Sequence, residues 1–334
     1  MSGYYSNKLK TLNDLFASSE IRLETDRLIV DRKSYPIVDD VIILLSADQY
    51  PDLLKKKLGL NKKKDPVYGN TAARDIQFSF GKEWQKYSDI LPEHEEEFNR
   101  YFDLIDLESL GNLRVCDLGC GNGRWSYFLK NRCRELILID FSDSIFVARN
   151  NLRDWDGCLF FMGDLTQLPF RQDFADFLFC LGVLHHLPAN CLETIRNIRT
   201  YAPIFLIYLY YSLDNRPLYF WVLLKIITLF RWTVSKIKNR YFRSGFTWLV
   251  GALLYKPLVW TGELFEQWGA SKYIPLYESY RGKSSRRIRQ DVYDRFFTTI
   301  EQRCSRKEIM RLKDTFREVE ISPQIPYWHF VCRR

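Results

Sequence analysis

Short apolar runs alternate with amphipathic stretches through the middle of the chain. The apolar runs cover residues 113–119, 136–140, 158–164, 176–182 and 203–210. Each run has the length of a strand, and stretches with helical spacing of apolar positions separate them. Strands this apolar, connected by helices, are typical of a parallel sheet that is covered on both faces. The pattern predicts a doubly wound α/β domain whose ligand site lies at the carboxyl ends of the strands.

The regions on either side of this α/β pattern carry weaker signals. Apolar runs at 27–30 and 41–45 predict strands before it, and runs at 319–322 and 327–332 predict two strands after it. The chain is therefore predicted to consist of a small N-terminal extension (1–66), a helical cap (67–110), the α/β core (111–211), a helical insert (212–290) and C-terminal strands that complete the sheet (291–334).

Composition excludes several classes of protein. With 334 residues, 46% of them apolar and 27% charged, the chain is neither disordered nor fibrous. Its eight cysteines include no Cys-x-x-Cys pair, so a reduced cytoplasmic compartment is expected. The first residues lack the apolar stretch of a signal peptide, and no uncharged run reaches the roughly 18 residues of a membrane span.

Positive charge is concentrated in one segment. Between Ser212 and Trp260 the chain has eight Lys or Arg residues against one acid, Asp214, together with eleven aromatic residues. A basic, aromatic segment within an otherwise nearly neutral chain is a local feature, which argues against a protein that binds nucleic acid over its whole surface.

A glycine-rich loop, Asp117-Leu118-Gly119-Cys120-Gly121-Asn122-Gly123, follows the first strand of the α/β core. Glycines allow a sharp turn and a close approach of a ligand to the backbone. Asp140, at the end of the second strand, is placed to accept hydrogen bonds from both hydroxyls of a ribose. This arrangement serves a dinucleotide or another adenosine cofactor, and a tight turn without a ligand is the structural alternative.

Two residues separate the cofactor alternatives. A dinucleotide fingerprint places its third glycine at position 124, which is arginine in this chain. An acid at the end of the third strand, Asp164, is available to bind an adenine amino group.

On the segments 115–123, 136–142, 160–170 and 176–188 the chain resembles the class I S-adenosylmethionine-dependent methyltransferases, in the family's order and spacing. The resemblance implies a Rossmann-like, mostly parallel seven-stranded sheet with S-adenosylmethionine as cofactor. It also implies site roles: Gly119, Gly121 and Gly123 beside the methionine portion, Asp117 ordering the loop, Asp140 at the ribose, Asp164 and the N–H of Leu165 at the adenine, and the chain around Leu181 at the methionine ammonium. N-capping of the following helices is the alternative role for Asp140 and Asp164.

Resemblance extends beyond the core on a few further segments. Residues 35–45 resemble the end of a zinc-ribbon module, but no cysteine precedes Cys116, so we expect a metal-free remnant. Residues 80–84 resemble a segment that caps the cofactor in a bacterial branch of the family, although plain helix packing explains Trp84 equally well. The segments 215–217, 274–276, 294–296, 300–303 and 326–328 extend the resemblance to that branch, whose members mostly have no assigned substrate.

His185 and His186 directly follow the fourth strand, at the face where the methyl acceptor is expected. A general base is needed if the acceptor is a hydroxyl, and a neutral imidazole suits that role. We therefore predict both histidines as catalytic and a hydroxyl of a small or lipid-like metabolite as acceptor. A structural role in the turn is the alternative for one of them, and carbon or sulfur acceptors stay open. Motifs of DNA methyltransferases are missing at 181–186, so a DNA acceptor is not expected, and nucleic acid in general is disfavoured. The basic segment with interleaved aromatic residues leaves an RNA acceptor open.

Two nearly apolar stretches, 218–230 and 246–260, dominate the insert. They predict either an apolar lid for a lipid-linked acceptor, with cations at anionic headgroups, or two helices packed against the sheet with cations reaching solvent. The first interpretation adds peripheral membrane contact through 218–260 to the cytoplasmic location. The rival to an enzyme is a non-catalytic cofactor-binding or scaffold protein that binds a partner or a membrane through the insert.

Overall fold

A computed structural model describes residues 3–16, 18, 20–60, 77, 80–81, 84–237, 239–298, 300–324 and 328–334. The strands are β1 (Ile21–Leu23), β2 (Arg27–Val30), β3 (Lys33–Val38), β4 (Val41–Ile43), β5 (Arg114–Leu118), β6 (Glu135–Asp140), β7 (Cys158–Met162), β8 (Phe177–Leu181), β9 (Ile204–Leu209), β10 (Glu318–Ile321) and β11 (Trp328–Arg333). The longer helices are α1 (Leu9–Phe16), α2 (Asp52–Lys57), α3 (Glu93–Tyr101), α4 (Arg124–Tyr127), α5 (Ser144–Asn151), α6 (Cys191–Asn197), α7 (Leu218–Val234), α8 (Arg240–Val250), α9 (Lys256–Glu266), α10 (Tyr277–Tyr280), α11 (Ser285–Phe297) and α12 (Arg306–Met310).

One mixed sheet organises the fold, with strand order β1-β2-β3-β4-β7-β6-β5-β8-β9-β11-β10. Strands from β4 to β9 run parallel, and β11 is antiparallel to both β9 and β10. The stretch from β7 to β10 is the predicted seven-stranded, mostly parallel sheet. The chain proceeds outward from β5 in one direction and from β8 in the other, so a crevice forms at the carboxyl ends of these two strands.

The N-terminal extension continues this sheet, which corrects the expectation of a separate zinc-ribbon-like remnant. Strand β4 pairs in parallel with β7, with Val41 opposite Phe160 and Ile43 opposite Met162. Strands β1 to β3 then add antiparallel neighbours, giving eleven strands in all. All three residues of β4 are buried, so the extension covers an edge of β7 that would otherwise be open.

Both faces of the central strands are covered by helices of the same chain. Every residue of β5, β7 and β8 is buried. Helices α1, α6 and α12 contribute side chains to the core on one face, whereas α3, α4 and α5 contribute to the core on the other face. This arrangement confirms the doubly wound α/β class that the apolar runs predicted.

Two element boundaries differ from the sequence-based expectation. The helix after the glycine-rich loop is short, Arg124–Tyr127, and Asn131 beyond it has a positive φ of 61° that a helix does not allow. Helix α11 runs across the predicted boundary at residue 290 and packs under the insert.

The insert forms a layer of helices, α7, α8 and α9, which we call the helical layer (218–266). A π-helical turn, Gly251–Tyr255, connects α8 to α9. The layer packs on α11 through Val234, Tyr255, Ile288 and Val292. It therefore rests on a helix of the same chain, whereas the packing interpretation placed it on the sheet. Among the described residues, no helix has both the length and the apolar character needed to cross a bilayer.

Candidate cofactor and acceptor site

A cavity of about 440 Å³ opens at the carboxyl ends of the central strands. Six of the predicted cofactor residues line it: Gly119, Gly121, Asp140, Asp164, Leu165 and Leu181. The cavity volume is in the range typical of small-molecule sites. The fold thus brings together at one place residues that are up to 62 positions apart in sequence, from Gly119 to Leu181.

The glycine-rich loop lines the cavity, and two of its glycines lie so close to neighbouring side chains that no larger residue fits. Gly119 and Gly121 have φ values of +83° and +55°, and a Cβ at Gly119 would lie 2.5 Å from Val183 Cγ2. A Cβ at Gly121 would lie 2.9 Å from the indole ring of Trp84. Trp84 also lines the cavity, so it stands where the predicted cofactor cap was expected.

Asp117 and Gly123 lie outside the cavity lining and support the loop from behind. Asp117 Oδ2 accepts a hydrogen bond of 2.6 Å from Ser126 Oγ, which ties strand β5 to helix α4. Burial raises the pKa of Asp117 to about 8, against the opposing effect of the Ser126 hydrogen bond. A Cβ at Gly123 would lie 2.9 Å from Leu152 Cδ1, so this glycine lets α4 begin close to α5. These contacts fit the predicted loop-ordering role of Asp117.

The two strand-end carboxylates each hold the turn that follows. Asp140 Oδ1 accepts from the N–H and the Oγ of Ser142, both at 2.8 Å, and Oδ2 accepts from the Gly121 N–H at 2.9 Å. Asp164 Oδ1 accepts from the N–H and Oγ1 of Thr166, at 2.9 and 2.7 Å.

Both carboxylates keep acceptor capacity after these bonds. A carboxylate oxygen accepts about two hydrogen bonds, so Asp140 Oδ2 can take one more. Asp164 Oδ2 makes no hydrogen bond with the described residues, and neither does the N–H of Leu165. The alternative role of Asp140 was N-capping, but the N-cap residue of α5 is Asp143, so both acids hold turns instead. These turn contacts are compatible with the predicted ribose and adenine contacts.

The two neighbouring histidines occupy different environments. His186 lines the cavity, and its Nδ1 lies 2.8 Å from the carbonyl oxygen of Ile300. Because a carbonyl only accepts, Nδ1 carries the proton, which leaves Nε2 with a lone pair in the neutral ring. Nε2 lies 3.8 Å from Asp294 Oδ1, and neither atom has a hydrogen-bond partner among the described residues.

His185 is buried behind His186 and does not line the cavity, which corrects the expectation that both histidines reach the acceptor. Its ring stacks on Tyr210 with centroids 4.0 Å apart. Burial holds the pKa of His185 well below its usual range. Consecutive residues of the tight turn Leu184–His186 point in different directions, so only one of the two side chains can face the cavity.

Charged side chains from α3 and α11 line the far end of the cavity. Arg287 binds both carboxylate oxygens of Glu97, at 3.1 to 3.3 Å, and pairs with Asp291. Lys283 Nζ lies 3.0 Å from Glu97 Oε1. Burial alone would raise the pKa of Glu97, but the positive charge of Arg287 and Arg124 holds it well below the usual range. Glu97 is therefore a permanent anion between cations.

Arg124 is a cation of this far end that pairs with no carboxylate among the described residues. Its guanidinium lies between two indole rings, 4.9 Å from the centroid of Trp84 and 4.4 Å from that of Trp125. Its Nη1 is buried without a hydrogen bond to the described residues. Sequence reasoning used Arg124 only to exclude a dinucleotide. Its position at the first residue of α4, beside the glycine-rich loop, was the signal that could have placed it at the cavity.

Comparison with known proteins bears on the core of the chain. Residues 115–201 match a family model described as a methyltransferase domain. No curated protein sequence matches the chain.

Several solved structures are similar to part of this chain. Magnesium protoporphyrin IX methyltransferase from Synechocystis, with bound S-adenosylhomocysteine, is 16% identical over 78% of this chain and 97% of its own, with a TM-score of 0.42. A phosphoethanolamine N-methyltransferase from Haemonchus contortus, in complex with phosphoethanolamine and S-adenosylhomocysteine, is 23% identical over 43% of this chain and 34% of its own, with a TM-score of 0.36. An S-adenosylmethionine-dependent methyltransferase from Mesorhizobium loti is 22% identical over 35% of this chain and 55% of its own, with a TM-score of 0.31. The chain spans 34% to 59% of the length of the first such structures that it matches.

Proposed function

We propose that this chain, whose residues 115–201 form a class I S-adenosylmethionine-dependent methyltransferase domain, methylates a hydroxyl oxygen of a small or lipid-like metabolite. One observation carries the proposal. A single cavity is lined by Gly119, Gly121, Asp140, Asp164 and His186, and the buried Nε2 of His186 has no hydrogen-bond partner among the described residues. A cofactor site and a base for the acceptor are therefore within one enclosure.

The residues at the strand ends fit S-adenosylmethionine. The backbone of Gly119 and Gly121, which line the cavity, would lie along the methionine portion. Asp140 Oδ2 would accept from the ribose, and Asp164 Oδ2 from the adenine amino group. When bound, this cofactor supplies a methyl group on a positively charged sulfur, which is reactive towards in-line attack.

His186 is the proposed base. Its Nε2 and Asp294 Oδ1 are two acceptors 3.8 Å apart that lack a donor, and an acceptor hydroxyl would supply one. As the hydroxyl oxygen forms its bond to the methyl carbon, its proton passes to Nε2, and the electron pair of the broken carbon–sulfur bond stays on sulfur. The Ile300 carbonyl keeps the ring in the correct tautomer, and Asp294 stabilises the imidazolium that results.

The charged end of the cavity favours an acceptor with an anionic group. Arg124 Nη1 is buried there without a hydrogen-bond partner among the described residues, beside the rings of Trp84 and Trp125. Guanidinium groups bind carboxylates and phosphates in two-pronged geometry.

The expected compartment is the cytoplasm, because the sparse cysteines are all buried free thiols.

The proposal is tested with S-adenosylmethionine labelled in its methyl group. The purified chain is incubated with the label and with aqueous and lipid extracts of cells, in parallel with His186→Gln. We expect label in a product that resists alkali, as a methyl ether does, and its loss in the variant. Label only in alkali-labile esters or in amines would contradict hydroxyl methylation. Cofactor binding without any transfer from either extract would favour the non-catalytic scaffold.

A further inference from the structure

The helical layer exposes an unusual amount of apolar surface. Of the 22 large apolar side chains that are exposed among the described residues, 19 lie in the helical layer, Trp268 and Tyr273 follow it, and the other is Leu60. Four of the 19 are tryptophans: Trp221, Trp232, Trp248 and Trp260. Contiguous apolar surface of this kind marks an interaction site, because monomeric proteins rarely leave it in contact with water.

Helix α7 has apolar side chains on its outer side as well as on the side that packs on the protein. Ile227 and Val234 face α11 and the core beneath the layer. On the outer side Ile226 and Leu229 are 60% and 73% exposed. Exposed apolar surface of this kind indicates that the outer side of α7 has a covering partner.

The charge of the layer identifies the chemistry of that partner. Residues 215–262 contain eight Lys or Arg and no acid. The helical layer itself, which includes Glu263 and Glu266 but not Arg216, has seven Lys or Arg and two acids, so it carries +5 of the net charge of +8. A partner that covers it should be anionic as well as apolar.

The cations of the segment divide into two groups. Arg231 pairs with Glu301, Arg216 pairs with Glu278, and Arg243 donates to Tyr293 Oη at 3.1 Å, so these three fix the layer to the protein. The exposed cations lie beside exposed aromatic rings instead. Lys236 Nζ lies 3.5 Å from the ring centroid of Trp232, and Lys225 Nζ lies 5.1 Å from that of Trp221.

Interleaved cations and tryptophans are the composition of a bilayer-surface helix, in which the rings enter the interface and the cations meet lipid phosphates. A second copy of this chain would bring the same excess of positive charge against this surface. An anionic bilayer therefore fits the surface better than a dimer does.

A second cavity, of about 290 Å³, lies beneath the layer. Apolar side chains of α7 and of the π-helical turn line it, among them Phe220, Leu224, Ile227 and Leu254. It shares Tyr210, Glu278, Ser279 and Arg295 with the first cavity, so the two adjoin. The second cavity thus lies between the helical layer and the proposed methyl-transfer site.

We propose that the helical layer docks on the surface of an anionic lipid bilayer and that the acceptor is a lipid whose chain occupies the second cavity. The assignment of a lipid acceptor rests on the proposed function, because it specifies the acceptor of the proposed methyl transfer. The docking itself depends only on the outer surface of the layer.

Vesicle binding of the full chain tests the docking. We expect the chain to sediment with vesicles of phosphatidylcholine and phosphatidylglycerol in equal parts, and far less with phosphatidylcholine alone. Lys225→Gln combined with Lys236→Gln should lower the partition coefficient about 25-fold, since each basic residue near an anionic surface contributes about fivefold. The matched control, Lys313→Gln, neutralises an exposed lysine outside the layer and should leave the partition coefficient unchanged.

Three results would overturn the docking. They are equal binding to both kinds of vesicle, no binding to either, and a lipid-free dimer in sedimentation velocity that Trp232→Ser dissociates. Titration with S-adenosylmethionine in each variant keeps the two proposals apart. Vesicle binding without cofactor binding would leave docking intact and defeat the proposed function.

Filling the second cavity tests the lipid acceptor. Leu224→Trp should reduce label transfer into the lipid extract at least tenfold while vesicle and cofactor binding stay as in the parent. Undiminished transfer, or transfer confined to the aqueous extract, would contradict a lipid chain in this cavity.

Discussion

The central sheet and helix α7 of the helical layer are both largely apolar in sequence, but only the sheet buries its apolar residues. Strands β5, β7 and β8 are buried at each residue, whereas the 17-residue α7 has just two buried residues, Arg231 and Val234. Helices of the same chain cover the sheet. An apolar sequence pattern therefore indicates that a segment must be shielded from water. Only the fold shows whether other parts of the same chain provide that shielding.

The two regions also use charge differently. At the sheet, Asp117 and Asp140 are satisfied by hydroxyl and backbone donors of the same loop region. In the layer, the inward cations serve as anchors and the outward ones face solvent. If this contrast is correct, changes at the sheet and changes on the layer should have separable effects on cofactor binding, catalysis and vesicle binding.

The largest expected effect is at the junction of the two regions. His186→Gln should lower turnover by about 10² to 10⁴, the usual contribution of a general base. Cofactor affinity, measured by calorimetry, and vesicle binding should not change. The reason is that His186 is neither one of the proposed adenosine-binding residues nor part of the layer surface. A normal kcat with the identified acceptor would remove His186 from the mechanism.

Stability measurements should distinguish buried from exposed aromatic residues. Phe179→Ala in β8 should lower the free energy of unfolding by about 3 to 5 kcal/mol, because it leaves a cavity in the core. Trp232→Ser in α7 should change it by about 0.5 kcal/mol or less, since that side chain is 64% exposed. Urea unfolding of both variants checks the contrast. A cost at Trp232 similar to that at Phe179 would mean that the layer is covered by the protein itself.

A carboxylate change at the sheet should impair cofactor binding alone. Asp140→Ala should weaken S-adenosylmethionine binding about 100-fold, because hydrogen bonds to a charged group contribute about 1.5 to 3 kcal/mol each. Asp154→Ala, which removes an exposed carboxylate that pairs with Lys130, is the control. Unchanged affinity in calorimetry of Asp140→Ala would defeat the ribose assignment, and altered vesicle binding would break the separation of the two regions.

The smallest effect concerns His185 and appears in the pH dependence of stability. Burial lowers the pKa of His185 below that of the unfolded chain, so the unfolded state takes up a proton first as the pH falls. Above about pH 6.5 the neutral His185 does not reduce the free energy of unfolding. Below that pH this one group lowers the free energy of unfolding by about 1.4 kcal/mol per pH unit. His185→Phe should remove that part of the slope in urea titrations while activity persists.

His94 provides the reference for the pH experiment. Burial lowers its pKa to about 3, so the His185→Phe variant should retain the acid sensitivity that His94 contributes. Loss of activity in His185→Phe, or a pH slope equal to that of the parent, would contradict a purely packing role for His185.

Local signals predicted the core of this protein well. Every strand from β5 to β9 falls on an apolar run, and the glycine-rich loop, Asp140 and Asp164 meet at one cavity as their strand-end positions required. Parallel strands place their ends along one edge, so position along each strand was enough to find this half of the site.

What the sequence did not reveal depends on long-range pairing. The pairing of β4 with β7 brings together residues about 120 positions apart, and no local sequence pattern specifies this pairing. Side chains of α3, α4 and α11 form the charged end of the cavity, and these helices come together only in the folded chain. Likewise, the direction of the turn Leu184–His186 separates His185 from His186, although both are equally suited in composition.

The central claim is that the chain binds S-adenosylmethionine at the sheet independently of the layer. Calorimetric titration of the full chain with S-adenosylmethionine, S-adenosylhomocysteine and NAD, with and without anionic vesicles, tests it most directly. We predict micromolar one-to-one binding of the first two under both conditions and none of NAD. Absence of binding by either sulfur compound under both conditions, or preference for NAD, would contradict the account.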